Sequence, residues 1–180
     1  KLYELGKEYN ALLMVDDAHS TGVLGNGRGT AHHFGLTDVD VQLGTLSKAL
    51  GSVGGYVAGR KELIEYLVNY SRSFIFSTAL SPADIGAALE ALTIVKNEPL
   101  VVEQLNENTA YMANKLQSMG IECDDETPIF PIIVGDNERA LSLAYELELR
   151  GIIITAIRPP TVPVGESRLR MPVTAAHSQE

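Results

Sequence analysis

Apolar and polar positions along the chain follow two repeating patterns, one typical of strands and one of helices. Short continuous apolar runs are typical of strands that are buried on both faces. A period of two is typical of a strand with one covered face. These patterns predict strands at Ala11–Val15, Asp40–Leu46, Gly54–Gly59, Phe130–Gly135, 152–157 and 167–173.

Helical periodicity fills most of the chain between these strands. The clearest helix start is Ser81-Pro82-Ala83-Asp84, where the serine can cap, the proline fits the first turn and an acid lies three residues on. Gly120 is suited to end a helix. Helices are predicted at 1–9, 60–72, 81–97, 99–119 and 137–151.

Strands that alternate with helices indicate an α/β architecture. We expect residues 1–98 to form part of a larger domain and residues 99–180 to form a smaller, truncated α+β domain, with the helix near 99–119 leading from one into the other. The chain begins at Lys1 and not at a methionine. We therefore expect an internal piece of a longer protein, in which a site can be incomplete.

The composition narrows the range of functions. The formal net charge is −9 and the 14 basic residues are scattered, which disfavours a nucleic-acid surface or a patch for anionic membranes. No apolar run reaches the roughly 20 residues that span a bilayer. The single cysteine, Cys123, cannot form an internal disulfide, which fits a reducing compartment. We expect a cytoplasmic protein that binds neither nucleic acid nor membrane.

A polar segment, Asp16-Asp17-Ala18-His19, follows the first predicted strand. Loops at the carboxyl ends of parallel strands form the ligand crevice of α/β proteins, so Asp16 is well placed to pair with a cation. Two other interpretations stay open. In the first, Asp16 or Asp17 caps a helix and His19 is an ordinary loop residue. In the second, a metal ion binds to this segment. The metal donors would be Asp16, Asp17, His19, His32 and His33, but their spacing matches no common zinc motif.

Lys48 stands in an apolar, glycine-rich segment, GTLSKALGSVGG. It is either a solvated surface lysine or, if the segment shields it from water, a usable amine nucleophile and base. Neither this segment nor Gly25–Gly29 matches a standard nucleotide-binding motif, although such residues can hold a phosphate through backbone N–H groups. A shielded lysine, with a carboxylate about thirty residues upstream to pair a ring nitrogen, is the set that pyridoxal phosphate needs.

A third candidate group lies near the end of the chain, in IRPPTVPVGESRLR. It contains Arg158, Arg168 and Arg170, and the alternation of SRLR places the last two on one face with Leu169 on the other. On the surface these are ordinary charges, but in a cleft a guanidinium binds a carboxylate through two hydrogen bonds. Alternation alone does not separate Arg168 from Arg170.

Four segments together resemble the pyridoxal-phosphate-dependent α-oxoamine synthases. They are VDDAHSTGVLGNGRG, GTLSKALGSVGGYV, FIFSTALSP and IRPPTVPVGESRLRMPVTAAH. The resemblance covers nearly the whole chain, and the order of the four motifs makes it specific. It implies a fold-type I, aspartate aminotransferase-like architecture, with part of the large domain and most of the small C-terminal domain. It also implies a pyridoxal 5'-phosphate cofactor and a homodimer with shared active sites.

The resemblance implies roles for the matching residues around the cofactor. Lys48 would form the internal aldimine and then remove the Cα proton of the amino acid substrate. Asp16 would pair with the pyridine nitrogen and keep it protonated. His19 would contact the phenolic oxygen of the ring, and Thr45 would hold that oxygen or the phosphate.

Other matching residues would bind the phosphate and the substrates. Ser77 and Thr78 would reach the phosphate across the dimer interface, Thr161 would contact the acyl substrate, and Arg170 the substrate carboxylate. The reaction implied is condensation of an amino acid with an acyl thioester, which releases carbon dioxide and a free thiol. Within the family, AIRPPTVP, SRLR and TAAH are together most similar to biotin-pathway members, which implies L-alanine and a pimeloyl thioester of coenzyme A or acyl carrier protein. Glycine-using members usually have a less proline-rich segment at Ile157–Val164.

Several alternatives remain to this implied reaction. A member that uses glycine and acetyl-CoA, another α-oxoamine synthase and a catalytically silent module all fit the pattern, and a metal-dependent hydrolase is more remote. An intact Lys48 disfavours the silent module. The earlier half of the family supplies an aromatic group over the ring, a phosphate loop and part of the thioester site. The 180-residue piece alone is therefore expected to be inactive.

Overall fold

A computed structural model describes residues 1–179. They divide into two compact units, Lys1–Glu103 and a second that begins at Gln104. The α/β architecture predicted from the sequence is confirmed. The predicted domain boundary near residue 98 lies shortly before this division and stays a prediction.

The first unit is built on a three-stranded sheet. Its strands are β1 (Met14–Asp16), β2 (Val41–Thr45) and β3 (Gly55–Gly59), and its helices are α1 (Leu2–Glu8), α2 (Thr30–His33), α3 (Lys61–Tyr70), α4 (Arg72–Ile75) and α5 (Pro82–Asn97). Strand β2 lies in the middle, parallel to β1 and antiparallel to β3. The short connection from β2 to β3 fits antiparallel pairing, because a parallel return needs a crossover of about a dozen residues or more.

The second unit contains a three-stranded antiparallel sheet packed against a long helix. Helix α6 (Pro99–Ser118) begins in the first unit and continues into the second, where β4 (Ile129–Gly135), α7 (Asn137–Glu148), β5 (Thr155–Ile157) and β6 (Ser167–Pro172) follow. The strand order is β4-β6-β5. A core of Ala113, Leu116, Phe130 and Val173 joins α6 to this sheet.

Asn108 fixes the last part of the chain to α6. Its side chain is only 4% exposed, and its Nδ2 donates to the carbonyl oxygens of Thr174 at 3.0 Å and His177 at 2.8 Å. The backbone N–H of Thr174 donates in turn to Nδ1 of His177 at 3.0 Å. Since a buried amide must find partners, these bonds stabilise the turn that follows β6.

The predicted helix signals at Ser81 and Gly120 are confirmed. The Ser81 Oγ accepts a hydrogen bond from the Asp84 backbone N–H at 3.2 Å, and Pro82 is the first residue of α5. Gly120, with φ +81°, follows the end of α6. Glycine adopts this left-handed conformation without the strain a side chain would bring.

Strand β1 differs from the prediction in its bounds and in its burial. The predicted strand was Ala11–Val15, whereas β1 is Met14–Asp16. The residues before Met14 lie outside the strand, because the Leu13 N–H donates to the side-chain Oδ2 of Asp40 at 2.9 Å and not to a strand backbone. The expectation of burial on both faces is wrong: Met14 is 61% exposed. The described residues leave that face of the strand uncovered.

Strand β5 is shorter than the predicted strand at 152–157. The reason is the end of α7, where Gly151 has φ +80° and the Ile152 N–H donates to the Leu147 carbonyl at 2.9 Å. Residue 152 therefore completes the helix terminus, and the ladder begins only at Thr155.

None of the described helices combines the length and the apolar character that a membrane crossing requires.

Candidate functional site

The candidate site begins at one edge of the first sheet. Asp16 is the last residue of β1 and Thr45 the last residue of β2. These strands are parallel, so their carboxyl ends meet at the same edge. Strand β3 starts at this edge too, since Gly55 pairs with Thr45. The predicted placement of Asp16 at the carboxyl end of the first strand is thus present in the structure.

Asp16 and Thr45 also share a face of the sheet. Asp16 pairs with Leu43 in the ladder, and Thr45 lies two residues beyond Leu43 on the same strand. Side chains two apart on a strand point to the same face. The Asp16 side chain is exposed, and its Oδ1 accepts a hydrogen bond from the Ala18 N–H at 2.9 Å. Its other carboxylate oxygen remains open to a ligand.

Asp17 has a different environment from its neighbour. It is 2% exposed, and its Oδ1 accepts a hydrogen bond from the Thr30 N–H, the first residue of α2, at 2.8 Å. A Cβ added to Gly29 (φ +96°) would lie 2.7 Å from the Asp17 Oδ2, so glycine is required there. The capping interpretation therefore holds for Asp17, and Asp16 is the acid left for a ligand.

The face of the sheet opposite Asp16 is closed by Tyr56. A Cβ added to Gly44 would lie 2.6 Å from the Tyr56 Oη, so the ring packs directly on the β2 backbone. The Tyr56 hydroxyl lies 2.7 Å from Oγ1 of Thr21, and this Oγ1 donates to the Asp17 carbonyl at 3.0 Å. The loop that carries His19, itself exposed, is thereby fixed to the sheet.

Lys48 lies in the loop between β2 and β3, beyond the same sheet edge. Its side chain is exposed, so of the two interpretations that the sequence left open, shielding by its own segment is not what the structure shows. The physical reason is that the neighbours Ser47 and Ala49 are short and exposed too. Within residues 1–179, no hydrogen bond or ion pair engages its ammonium group. The amine is therefore available to a ligand.

Thr45 closes the base of this loop. Its Oγ1 donates to the Gly54 carbonyl at 3.0 Å and lies 2.7 Å from the Ser47 Oγ. Because a threonine hydroxyl has one hydrogen, the serine donates in the second bond. Thr45 therefore organises the loop, and its predicted contact with a cofactor stays a prediction.

Ser77 and Thr78 follow α4 and are both exposed. The Ser77 Oγ donates to the Ser73 carbonyl. The preceding residues Phe74 and Phe76 are 64% and 76% exposed. Large exposed aromatic side chains beside two hydroxyls are typical of a surface that another chain covers.

The remaining predicted residues belong to the second unit. Thr161 is exposed in a turn closed by its N–H, which donates to the Arg158 carbonyl at 3.0 Å. Leu169 is 5% exposed, while Arg168 and Arg170 lie on the other face of β6, as the alternation predicted.

Arg168 and Arg170 differ in their hydrogen-bond partners. In Arg168, Nε donates to the Glu166 carbonyl at 3.0 Å and Nη2 to the Glu166 carboxylate at 2.8 Å. Arg170, which is half-buried, makes no such bond to any of the described residues. Its guanidinium is the one available to bind a carboxylate.

A cavity of about 290 Å³ lies elsewhere in the first unit. It is lined in part by Asp40, just before β2, and Arg60, just after β3, so it lies at the sheet edge opposite Asp16. Arg60 pairs with Asp40 at 3.3 Å. These two charges bind each other, and Lys7 and Asp38 in the same lining are paired at 3.9 Å.

Sequence reasoning did not identify three hydroxyls that shape the site, those of Thr21, Ser52 and Tyr56. Ser52 donates to the Asp84 carbonyl at 2.6 Å. Each of them bonds to a residue more than thirty positions away in the sequence, and no local pattern marks such a contact. Among the described residues, no three histidine, cysteine, aspartate or glutamate side chains lie close enough together to hold a metal ion.

A family model described as aminotransferase class I and II matches residues 1–180. Among curated proteins, the chain is 50% identical over 183 residues to 8-amino-7-oxononanoate synthase of Lysinibacillus sphaericus, an alignment that covers 100% of this chain and 47% of that protein. The chain spans about half the length of the curated relatives it matches.

Solved structures are similar to the chain over nearly all of its length. A high-resolution structure of SPT with the PLP internal aldimine matches with a TM-score of 0.93 and 29% identity, over 98% of this chain and 46% of that one. The structure of 8-amino-7-oxononanoate synthase from Francisella tularensis matches with a TM-score of 0.82 and 29% identity, over 98% and 53%. The expected aspartate aminotransferase-like architecture is confirmed.

Proposed function

The chain belongs to the aminotransferase class I and II family, and on this basis we propose that the complete protein is a pyridoxal-phosphate-dependent acyltransferase. It condenses L-alanine with a pimeloyl thioester to give 8-amino-7-oxononanoate, carbon dioxide and a free thiol. The 50% identity to the L. sphaericus synthase supports this assignment. Since the chain covers 47% of that relative, the activity is assigned to the complete protein and not to these residues alone.

One observation carries the proposal: the Lys48 amine and the Asp16 carboxylate lie at the same edge of one sheet, and the contacts that hold the fold together leave both groups able to bind a ligand. Asp16 accepts a single backbone hydrogen bond, whereas its neighbour Asp17 is buried and bonded to α2. A free amine and a free carboxylate at a shared edge are the pair that a pyridine aldehyde needs.

The donor set at this edge fits pyridoxal phosphate. When bound, the cofactor supplies an electron sink for the carbanion at the substrate Cα. Lys48 would hold it through the amine and move the Cα proton. Asp16 would keep the ring nitrogen protonated by its negative charge, His19 would contact the ring oxygen, and Thr45 would contact that oxygen or the phosphate. None of these side chains is needed to fill a hydrophobic core, because none is buried.

We further propose that the protein is a cytoplasmic homodimer with shared active sites. Ser77 and Thr78 reach the phosphate of the partner subunit. The exposed rings of Phe74 and Phe76 support this arrangement, since they place an apolar surface beside the two hydroxyls. The single cysteine in the sequence is consistent with a reducing compartment.

Arg170 binds the carboxylate of the amino acid substrate, and Thr161 contacts the acyl chain. The resemblance chose Arg170 over Arg168, and the structure supports that choice, because the Arg168 guanidinium already binds Glu166 at 2.8 Å. An arginine without an internal partner can form the two parallel hydrogen bonds that a carboxylate accepts.

Replacing Arg170 by glutamine in the complete protein is expected to raise the KM for the amino acid by about tenfold to a hundredfold, the effect of losing a charge-assisted pair. Arg168→Gln is the matched control, and we expect its KM to stay within about twofold of the wild type, as exposed ion pairs contribute little. Steady-state kinetics at varied amino acid concentration give both values. Equal effects of the two changes would contradict the assignment.

The proposed function is tested by turnover of the complete protein with pyridoxal phosphate. Purified protein is incubated with L-alanine and pimeloyl-CoA or pimeloyl-acyl carrier protein, and the ketone product and carbon dioxide are measured. A parallel reaction contains glycine and acetyl-CoA. We expect product from the first reaction and at most a small amount from the second.

Each alternative has its own outcome in this assay. Faster turnover with glycine and acetyl-CoA would favour the glycine-using reaction and reject the proposed substrates. Cofactor binding without turnover on any amino acid and thioester would favour a silent module. Absence of cofactor binding would reject the whole proposal.

A further inference from the structure

The loop that carries Lys48 is closed at its base by three hydrogen bonds. The Leu46 N–H donates to the Gly54 carbonyl at 2.9 Å, and Thr45 Oγ1 donates to the same carbonyl at 3.0 Å. The Ser52 N–H donates to the Leu46 carbonyl at 2.8 Å. Lys48 therefore projects from a closed loop, Leu46–Gly54, and not from a free strand end.

A second attachment joins the base of this loop to α5. The Ser52 Oγ donates to the Asp84 carbonyl in the first turn of α5 at 2.6 Å. That turn is itself rigid, because Ser81 and Asp84 bond to each other through backbone and side chain. Gly54 also packs closely here: a Cβ added to it would lie 2.7 Å from Leu80 Cδ1.

We propose that Ser52 is a positioning residue for Lys48, and that its hydroxyl bond to the first turn of α5 holds the Leu46–Gly54 loop in the orientation that presents the amine. This inference rests on the proposed role of Lys48. The Ser52 side chain is half-buried, and its hydroxyl donates to the main chain of α5. Its effect comes through geometry, since a small displacement of a reacting group lowers the rate of a reaction strongly.

The bond has a second consequence for the site. Ser77 and Thr78 lie just before Leu80 and the start of α5, on the segment to which Ser52 fixes the loop. Ser52 thus links the lysine loop of one site to the two hydroxyls proposed to serve the phosphate of the partner subunit. Loss of the Ser52 hydroxyl should loosen this link without removing either group.

The test is Ser52→Ala in the complete protein, compared with two variants. We expect kcat to fall about tenfold or more while the KM values change far less, because chemistry depends on the position of the amine more than substrate binding does. Ser52→Thr keeps the hydroxyl and is expected to recover kcat to within about threefold. Ser118→Ala is the control, since it also removes a serine hydroxyl bound to a backbone carbonyl, in the second unit.

A cofactor-free measurement accompanies the kinetics. Hydrogen–deuterium exchange of the Leu46 and Ser52 amides is expected to be about fivefold faster in Ser52→Ala than in wild type or Ser118→Ala, because the loop opens more readily. Exchange elsewhere in the first unit should change little. Unchanged exchange in the loop would overturn the inference.

The failure of this inference differs from the failure of the proposed function. Borohydride reduction of the wild type, followed by peptide mass analysis, shows whether the cofactor is bound to Lys48. If it is bound there and Ser52→Ala has the kcat of the wild type, only the role of Ser52 is wrong. If the cofactor is not on Lys48, the proposed function is wrong and the inference falls with it.

Discussion

Lys48→Ala in the complete protein is expected to abolish covalent attachment of pyridoxal phosphate and to lower turnover by about a thousandfold or more. The size of the effect follows from two losses in one residue. The amine no longer holds the cofactor, and general-base removal of the Cα proton, typically worth about 10²–10⁴ in rate, is lost with it.

The fold should not change in this variant. The Lys48 side chain is exposed, and its contribution to the loop is made by the main chain, where its carbonyl accepts the Gly51 N–H at 3.0 Å. Exposed side chains without such partners usually change stability by no more than about 0.5 kcal/mol. The thermal midpoint of Lys48→Ala should therefore equal that of the wild type when both are measured without cofactor, since bound cofactor would itself stabilise the wild type.

Lys96→Ala is the matched control, since Lys96 is an exposed lysine in the last turn of α5. Borohydride trapping and mass analysis should find the cofactor on Lys48 in the wild type and in Lys96→Ala, and on no lysine in Lys48→Ala. Addition of a small primary amine should restore part of the turnover of Lys48→Ala, because the amine replaces the lost base. Trapping on a different lysine would refute the role of Lys48.

The sequence predicted most of the fold because its signals are local. The cap at Ser81, the terminator Gly120 and the alternation around Leu169 all appear in the structure as expected. These features depend on residues within one or two turns of each other. Local hydrogen bonding and periodicity are enough to predict them.

Tertiary contacts explain what sequence patterns missed. Helix α2 has four residues, too few for a periodic signal, and its first N–H is bonded by Asp17, thirteen positions upstream. The same contact distinguishes Asp17 from Asp16, which no spacing rule could do. The exposure of Met14 was missed for a related reason, because an apolar run indicates burial without showing what provides the cover.

The candidate site, too, has residues that the sequence identified and contacts that only the structure shows. The resemblance singled out Lys48, Asp16 and Arg170 from motif positions. Only the structure shows that the Arg168 guanidinium binds the Glu166 carboxylate, and that the Ser52 hydroxyl donates to α5. Such side-chain contacts depend on how strands and loops are brought together, and a single sequence does not record them.

The two neighbouring acids give the second large prediction, since identical substitutions should have opposite consequences. Asp16→Asn is expected to lower kcat by about 10²–10³, the usual effect of removing one electrostatic group from a reacting centre, with little loss of stability. Asparagine retains an oxygen that can accept the Ala18 N–H, as Oδ1 does at 2.9 Å. It lacks the negative charge that keeps the ring nitrogen protonated.

Asp17→Asn is expected to lower the free energy of unfolding by about 1–3 kcal/mol, the cost of a buried polar group without a partner. One oxygen can still accept the Thr30 N–H, but the new NH₂ group would lie against Gly29, where the Asp17 carboxylate is already tightly packed. Turnover per folded molecule should remain within about threefold of the wild type, because this carboxylate faces α2 and not the ligand edge.

Thermal unfolding and kcat measured on the same preparations separate the two outcomes. Asp16→Asn should show a wild-type midpoint with a low kcat, and Asp17→Asn a lowered midpoint with a nearly normal kcat. If each variant showed both a lowered midpoint and a lowered kcat, the two acids would act as one coupled pair. The reverse pattern would place the ligand on the buried side of β1. Asp16 would then be a structural residue and the cofactor assignment at this sheet edge would be wrong.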